Sequence, residues 1–266
     1  EQGRLAATHT FGRSEGSDLR ILSSGHTSKG LKMIFDLTSR DLETSTIRDT
    51  IVEQASSQWE HTLQTRFFGE HNATTLAPAI LALVWLGYEM DDIARFFEKV
   101  DLPCGRGNTL VGRKGSIVID GTYNGGFASI TAGLSMLADL GRQLGRPTIA
   151  IIWDMRELGD LEESYHQELA HLSKTLDLDN FIFVWPMCST YIQPLFPDAN
   201  YTLDAREAWE IVLKGVKNAL IFAKWSQNTI FLEEALKQII LPEDSPKLVR
   251  QSEDWMWKKE AFYDSL

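Results

Sequence analysis

The feature that most constrains this chain is the alternation of short apolar runs with helical patterns after residue 105. Ile117-Val118-Ile119 ends at Asp120, Thr148 to Ile152 leads to Asp154, Phe181 to Val184 forms a third run, and Ala219 to Ala223 ends at Lys224. Between them lie helix-period segments: Ile130, Leu134, Leu137 and Leu140 after Gly126, then Leu161, Tyr165, Leu169, Leu172 and Leu176. Asp204 opens a further helix with Glu207 three residues on, the pattern of a capping box. A helix through Leu232, Ala235 and Ile239 and a tail helix holding Trp255 and Phe262 complete the set. Repeated strand-then-helix units require a mostly parallel sheet, α/β and Rossmann-like, with helices on both faces. Ligands of such sheets bind outside the carboxyl ends of the strands. The polar residues there are Asp120, Asn124, Asp154, Glu157, Lys224 and Ser226.

The first hundred residues read differently. Thr8 to Phe11, Leu19 to Leu22 and Leu31 to Leu37 are short strand-like runs, and residues 38 to 68 give only a weak pattern. From His71, apolar residues Leu76, Ile80, Leu83 and Val84 recur at helical spacing and Gly87 supplies the stop. A second helix carries Met90, Ile93, Phe97 and Val100, with Asp91 or Asp92 near its start. The segment Leu102-Pro103-Cys104-Gly105-Arg106-Gly107 is a natural break, which divides the chain into residues 1–104 and 105–266.

Composition removes several function classes. With 266 residues and 43% hydrophobic content the chain is long enough for one large or two modest cores. A net charge of −11 without a Lys/Arg stripe argues against nucleic acid as a partner. Cys104 and Cys188 are too few for a disulfide framework or a zinc site and read as free thiols of a reducing cytoplasm. No stretch has the length of a membrane span, and no signal peptide is visible. The chain starts at Glu1 rather than Met, which reads as a trimmed start or a fragment.

Four segments carry a family resemblance: Gly69-Glu70-His71-Asn72 before a helix, Gly105-Arg106, Val118-Ile119-Asp120-Gly121-Thr122-Tyr123-Asn124, and Asp154-Met155-Arg156-Glu157-Leu158-Gly159 with His166 beyond it. Together with Thr10-Phe11-Gly12 and Lys224-Trp225-Ser226 they resemble, in order and spacing, the ATP-dependent Mur ligases of peptidoglycan synthesis. The third and fourth segments are most similar to the branch that adds D-alanyl-D-alanine. The resemblance implies that residues 1–104 are the end of an incomplete central ATPase domain, with sheet edges cut open, and residues 105–266 the C-terminal domain.

It also implies the chemistry: ATP phosphorylates a carboxylate of UDP-MurNAc-tripeptide, and the amine of D-alanyl-D-alanine attacks the acyl phosphate. By the same resemblance Asn72, Arg106 and Asp120 bind ATP, Arg106 at the domain junction. Tyr123, Asn124, Asp154, Glu157, Lys224 and Ser226 face the peptide substrates. Mg2+ is the implied metal, with its ligands and the activating lysine upstream of Glu1, so no catalytic or metal-binding residue is assigned within this chain. A cytoplasmic monomer serving cell-wall biogenesis, cell shape and division is the implied setting. Structural alternatives stand beside these roles. Asn72, Asp120 and Asp154 could cap helices, Arg106 could be a surface side chain, Lys224 a solvated strand end, and His71 and His166 satisfied structural histidines.

The departures from the pattern are specific. G-x-x-x-x-G-K-[ST] does not occur, so this chain by itself has no cradle for the β- and γ-phosphates and is expected to be inactive alone. A stand-alone nucleotide- or peptide-binding module is the alternative. A dehydrogenase is disfavoured because no G-x-G-x-x-G follows a first strand. Thr75 replaces a second Asn, Gly121 a second Asp, and Gly125-Gly126 an Ala-Asn pair. Trp153, Trp185 and Trp225 each stand where the resemblance leads one to expect Gly. Either the rings are real and fill the pocket, or the gene uses a code in which UGA means glycine. The third peptide residue of the substrate is not legible.

Overall fold

The computed structural model describes residues 9–37, 59–215, 217–224 and 231–264. Contacts divide the chain into two compact units, Glu1–Val100 and Asp101–Leu266.

In the first unit, β1 (Phe11–Gly12), β2 (Leu19–Thr27), β3 (Gly30–Leu37) and β4 (Trp59–Gln64) form one sheet in that order. β1 and β2 are parallel and the other pairs antiparallel. β4 had only a weak sequence signal because, within Glu60–Gln64, Leu63 is its one apolar residue. Helices α1 (His71–Trp85) and α2 (Met90–Phe97) follow, and α1 buries Ala73, Leu76, Ala77 and Ile80. Gly87, at φ +88, ends the α1 segment in a conformation suited to glycine.

The second unit is built on a six-stranded sheet in the order β5-β6-β10-β7-β8-β9. Its strands are β5 (Asn108–Val111), β6 (Ile117–Gly121), β7 (Thr148–Trp153), β8 (Asn180–Val184), β9 (Asn200–Thr202) and β10 (Leu220–Lys224). Only β5 runs antiparallel to its neighbour. β5 and β9 have no clear signature in the sequence, since four and three residues are too short to display a period.

Helices cover both faces, as the alternation of buried side chains requires. Ile149, Ile151, Ile182, Val184, Ile221 and Ala223 pack with Ala205, Ala208 and Val212 of α5 (Ala205–Gly215) and Leu232, Leu236 and Ile239 of α6 (Leu232–Ile239). On the other face α3 (Phe127–Leu144) approaches so closely that a Cβ at Gly133 would come within 2.1 Å of the Phe222 ring, and α4 (Glu162–Thr175) packs beside it. The Glu207 carboxylate accepts a hydrogen bond from the Thr202 hydroxyl at the end of β9. The terminal helix α7 (Glu253–Tyr263) is tied to α6 by Lys259, whose ammonium contacts Glu233 at 3.1 Å and Glu234 at 2.6 Å. Among the described residues no helix is long and apolar enough to cross a membrane.

Candidate nucleotide site at the carboxyl edge of the sheet

The parallel register brings the carboxyl ends of β6 and β10 side by side, with Ala223 opposite Asp120 and Lys224 opposite Gly121. Asp120 is fully buried. Its Oδ1 accepts hydrogen bonds from the Thr122 amide at 2.9 Å and the Thr122 hydroxyl at 2.6 Å. Oδ2 has no hydrogen-bond partner among the described residues. Burial pushes the Asp120 carboxyl above its ordinary range, while the Thr122 bonds, the nearby Gly105 amide and Lys224 oppose that shift. Among the described residues this buried carboxylate thus keeps one acceptor oxygen unused.

Lys224 is held by the same edge. A Cβ at Gly121 would lie 2.8 Å from the Lys224 Cδ, so glycine at this position leaves room for the lysine stem. Burial lowers the Lys224 ammonium and the charge of Arg106 lowers it further, against the pull of Asp120. The three groups are therefore electrostatically coupled.

Arg106 reaches the site on a tight turn. Gly105, at φ +70, lies against the loop after β6, where a Cβ would come within 2.7 Å of the Tyr123 nitrogen. Gly105 carbonyl accepts from the Tyr123 amide at 3.1 Å, the Gly107 amide donates to Asp120 carbonyl at 2.7 Å, and the Asn108 side chain accepts from the Gly105 amide at 2.7 Å. The Arg106 guanidinium then stacks 4.0 Å from the centre of the half-exposed Tyr123 ring.

One member of this assembly has no signature in the sequence. Arg250, at φ +55 and with a side chain only 6% exposed, donates to the carbonyls of Thr122 and Tyr123, both at 3.2 Å. It lies 3.7 Å from Glu233, which is fully buried and in turn paired with Lys259. The loop carrying Tyr123 and Asn124 is thus anchored to α6 and α7. Nothing near Leu248-Val249-Arg250-Gln251 in the sequence distinguishes this arginine from a surface one.

The remaining residues singled out from the sequence lie elsewhere. Asn124 is exposed beside Tyr123, its side-chain oxygen accepting from the Gly125 amide at 2.7 Å. Glu157 is exposed, at φ +62 beyond β7. Trp225 and Ser226 lie outside the described residues. Asn72 belongs to the first unit, is buried, and donates to the Phe68 carbonyl at 2.9 Å, a bond that clasps the entry to α1.

Asp154 is buried and occupied. Its oxygens accept from the amides of Met187 at 3.0 Å and Cys188 at 2.7 Å, at the start of the π-helical turn Cys188–Ile192. Burial raises both the Asp154 carboxyl and the Cys188 thiol, which share a hydrogen bond. His166 accepts from the Met155 amide through Nε2 at 3.1 Å and binds the Glu162 carbonyl through Nδ1 at 2.7 Å, so its partners assign the Nδ1–H tautomer. Ligand atoms of Asp154, His166 and Cys188 lie within 4.8 Å of one another. The carboxylate and imidazole lone pairs already serve backbone amides, and sulfur and nitrogen do not suit a hard cation such as Mg2+. The trio is a structural clasp between β7, α4 and the turn after β8.

Comparison with known proteins agrees with this architecture. The chain is 31% identical over 116 residues to the UDP-N-acetylmuramoyl-tripeptide--D-alanyl-D-alanine ligase of Synechocystis sp., a match covering 44% of this chain and 25% of that one. Among solved structures, MurF from Acinetobacter baumannii superposes with a TM-score of 0.62 at 20% identity, covering 86% of this chain and 45% of the other. The chain resembles the Mur ligases in sequence and in fold. MurF from Thermotoga maritima in complex with ADP gives a TM-score of 0.63 at 16% identity, over 86% of this chain and 47% of that one. No protein-family model matches. The chain thus spans a quarter of the curated relative and less than half of these solved ones. The mostly parallel six-stranded sheet is that of the Mur ligase C-terminal region.

Proposed function

We propose that this chain is the adenine-and-acceptor part of a cytoplasmic, ATP-dependent amide ligase that joins D-alanyl-D-alanine to a UDP-MurNAc-tripeptide through an acyl phosphate. The 31% identity to a ligase of that name carries the reading, and the half-satisfied carboxylate of Asp120 beside Arg106 and Lys224 gives it a physical basis. Residues 1–104 are read as the end of the central domain and 105–266 as the C-terminal domain.

In this reading Asp120 accepts a hydrogen bond from the nucleotide through its free oxygen. The delocalised cation of Arg106, prepositioned on Tyr123, faces nucleotide oxygens. Lys224, whose charge is destabilised by burial and by Arg106, gains from an arriving anion. Tyr123, Asn124, Glu157 and Ser226 face the peptide substrates, and Asp154 supports that edge through the turn it holds. ATP supplies the activating phosphoryl group. Mg2+ would neutralise phosphate charge, and the resemblance puts its ligands upstream of Glu1. Catalysis in such a reaction consists largely of alignment and charge neutralisation.

The test uses the full-length gene product. With ATP, UDP-MurNAc-tripeptide and D-alanyl-D-alanine it is expected to release ADP and phosphate in step with a UDP-MurNAc-pentapeptide detected by mass, and the 266-residue chain alone is expected to release none. ATP hydrolysis without amide product, or amide formation that ignores D-alanyl-D-alanine, would overturn the assignment. Nucleotide or peptide binding without turnover would favour a non-catalytic module.

A further inference from the structure

Among the described residues, five that are not glycine have a positive φ. Lys114, Glu157, Asn218 and Arg250 lie between +55° and +62°, in the left-handed helical region that L-residues enter at modest cost. Trp185 lies at +94°. That value falls among this chain's own glycines, between Gly87 at +88° and Gly69 at +102°, and beside Gly107 at +93°. A large aromatic side chain is among the least suited to such a backbone.

The position in the fold is not random. Strands β10, β7 and β8 are neighbours in the sheet, and each has a tryptophan at its carboxyl end: Trp225 directly after β10, Trp153 as the last residue of β7, and Trp185 directly after β8. The neighbouring strand β6 ends instead in Gly121. The Trp153 and Trp185 rings stack on each other, 5.3 Å apart at 28°. The two indoles thus share one volume in the core beside the carboxyl ends of β7 and β8, where Trp153 is fully buried and Trp185 packs against the same cluster.

We propose that positions 153, 185 and 225 carry glycine in the protein its own cell makes, each encoded by a UGA triplet which that cell reads as glycine. Tryptophan has a single codon, UGG, one base from UGA. One translation therefore writes tryptophan at every such triplet while another writes glycine. Glycine at 185 removes the conflict between side chain and backbone. Glycine at 153 and 185 together vacates the volume of the stacked rings within the core between the sheet and helices α5 and α6. This inference rests on backbone geometry at position 185 and on strand position at 153 and 225, and is independent of the ligase reading.

The experiment reads the three codons in the gene, and the masses of the peptides spanning Ile149 to Met155, Ile182 to Met187 and Ile221 to Ser226 in protein purified from its source cell. The expected result is UGA at all three codons and a shift from the tryptophan to the glycine residue mass in all three peptides. UGG at any of the three codons, or a tryptophan mass in any of the peptides, overturns the proposal.

Discussion

Asp120→Asn is expected to make the protein more stable at pH 7 and at the same time a much poorer user of ATP. Asp120 is fully buried, and burial is the largest influence raising its carboxyl above the ordinary range. The folded state therefore keeps this proton to a higher pH than the unfolded chain does. Its contribution to stability falls as pH rises above the ordinary carboxylate value toward the folded one, and at neutral pH the ionised group is a cost. An asparagine keeps an oxygen to accept from Thr122 and carries no charge. The thermal midpoint of the full-length protein should rise at pH 7, with an advantage that shrinks toward pH 4. Loss of a charge-assisted hydrogen bond to the nucleotide is worth about 1.5–3 kcal/mol, so kcat/KM for ATP should fall roughly tenfold to a hundredfold. A variant that loses activity and stability together would mark Asp120 as a structural anchor.

The largest loss of stability is expected at the ion cluster behind the loop. Glu233 is fully buried, Lys259 is 3% exposed, and their charged atoms are 3.1 Å apart. Burial raises the Glu233 carboxyl, and Lys259 is the first of the groups that hold it down, ahead of Arg250. Lys259→Met keeps much of the apolar stem and removes the charge. It leaves Glu233 with Arg250 at 3.7 Å as its remaining cation, and Glu234 without its contact to the Lys259 ammonium. Breaking a buried pair from one side costs about 3–5 kcal/mol, a large fraction of the ~5–15 kcal/mol that stabilises a typical domain. In the variant the Glu233 carboxyl moves up further. The folded state then takes up a proton more readily than the unfolded chain, so the deficit should be greatest at neutral pH and smaller in mild acid. Adding Glu233→Gln should recover part of the loss. Denaturant unfolding across pH measures all three effects. A loss under about 1 kcal/mol, the scale of an exposed pair, would show that the cluster is solvated.

What the sequence made legible follows physical range. Buried strands such as Thr148–Trp153 and long helices such as Phe127–Leu144 announce themselves because their apolar pattern is local. Asp120 and Lys224 were legible for the same reason, each ending an apolar run, and register then places them on adjacent strands. Arg106 was carried by a motif, and its seat on Tyr123 follows from a glycine turn that a motif can encode. Long-range partners leave no such trace. Arg250 meets carbonyls more than a hundred residues away, and Asp154 meets amides 33 and 34 positions on. An aspartate at a strand end reads the same whether or not its oxygens are spent on a turn, and only the fold shows that Asp154 accepts from the Met187 and Cys188 amides while Asp120 keeps one oxygen unpaired among the described residues. The short strands β5 and β9 exist through pairing with β6 and β8 rather than through their own pattern.

The central claim is that nucleotide is held at the carboxyl edge of β6 and β10 by groups that include Arg106. Initial rates of ADP release by the full-length enzyme, measured against ATP concentration for Arg106→Ala, test it most directly. The side chain is exposed and stacks on Tyr123, so the fold should be unchanged by circular dichroism and thermal midpoint. The account predicts a KM for ATP raised about tenfold or more, the scale of a lost charge-assisted contact, with the KM for D-alanyl-D-alanine little changed. An unchanged KM for ATP in a folded, active variant would contradict it.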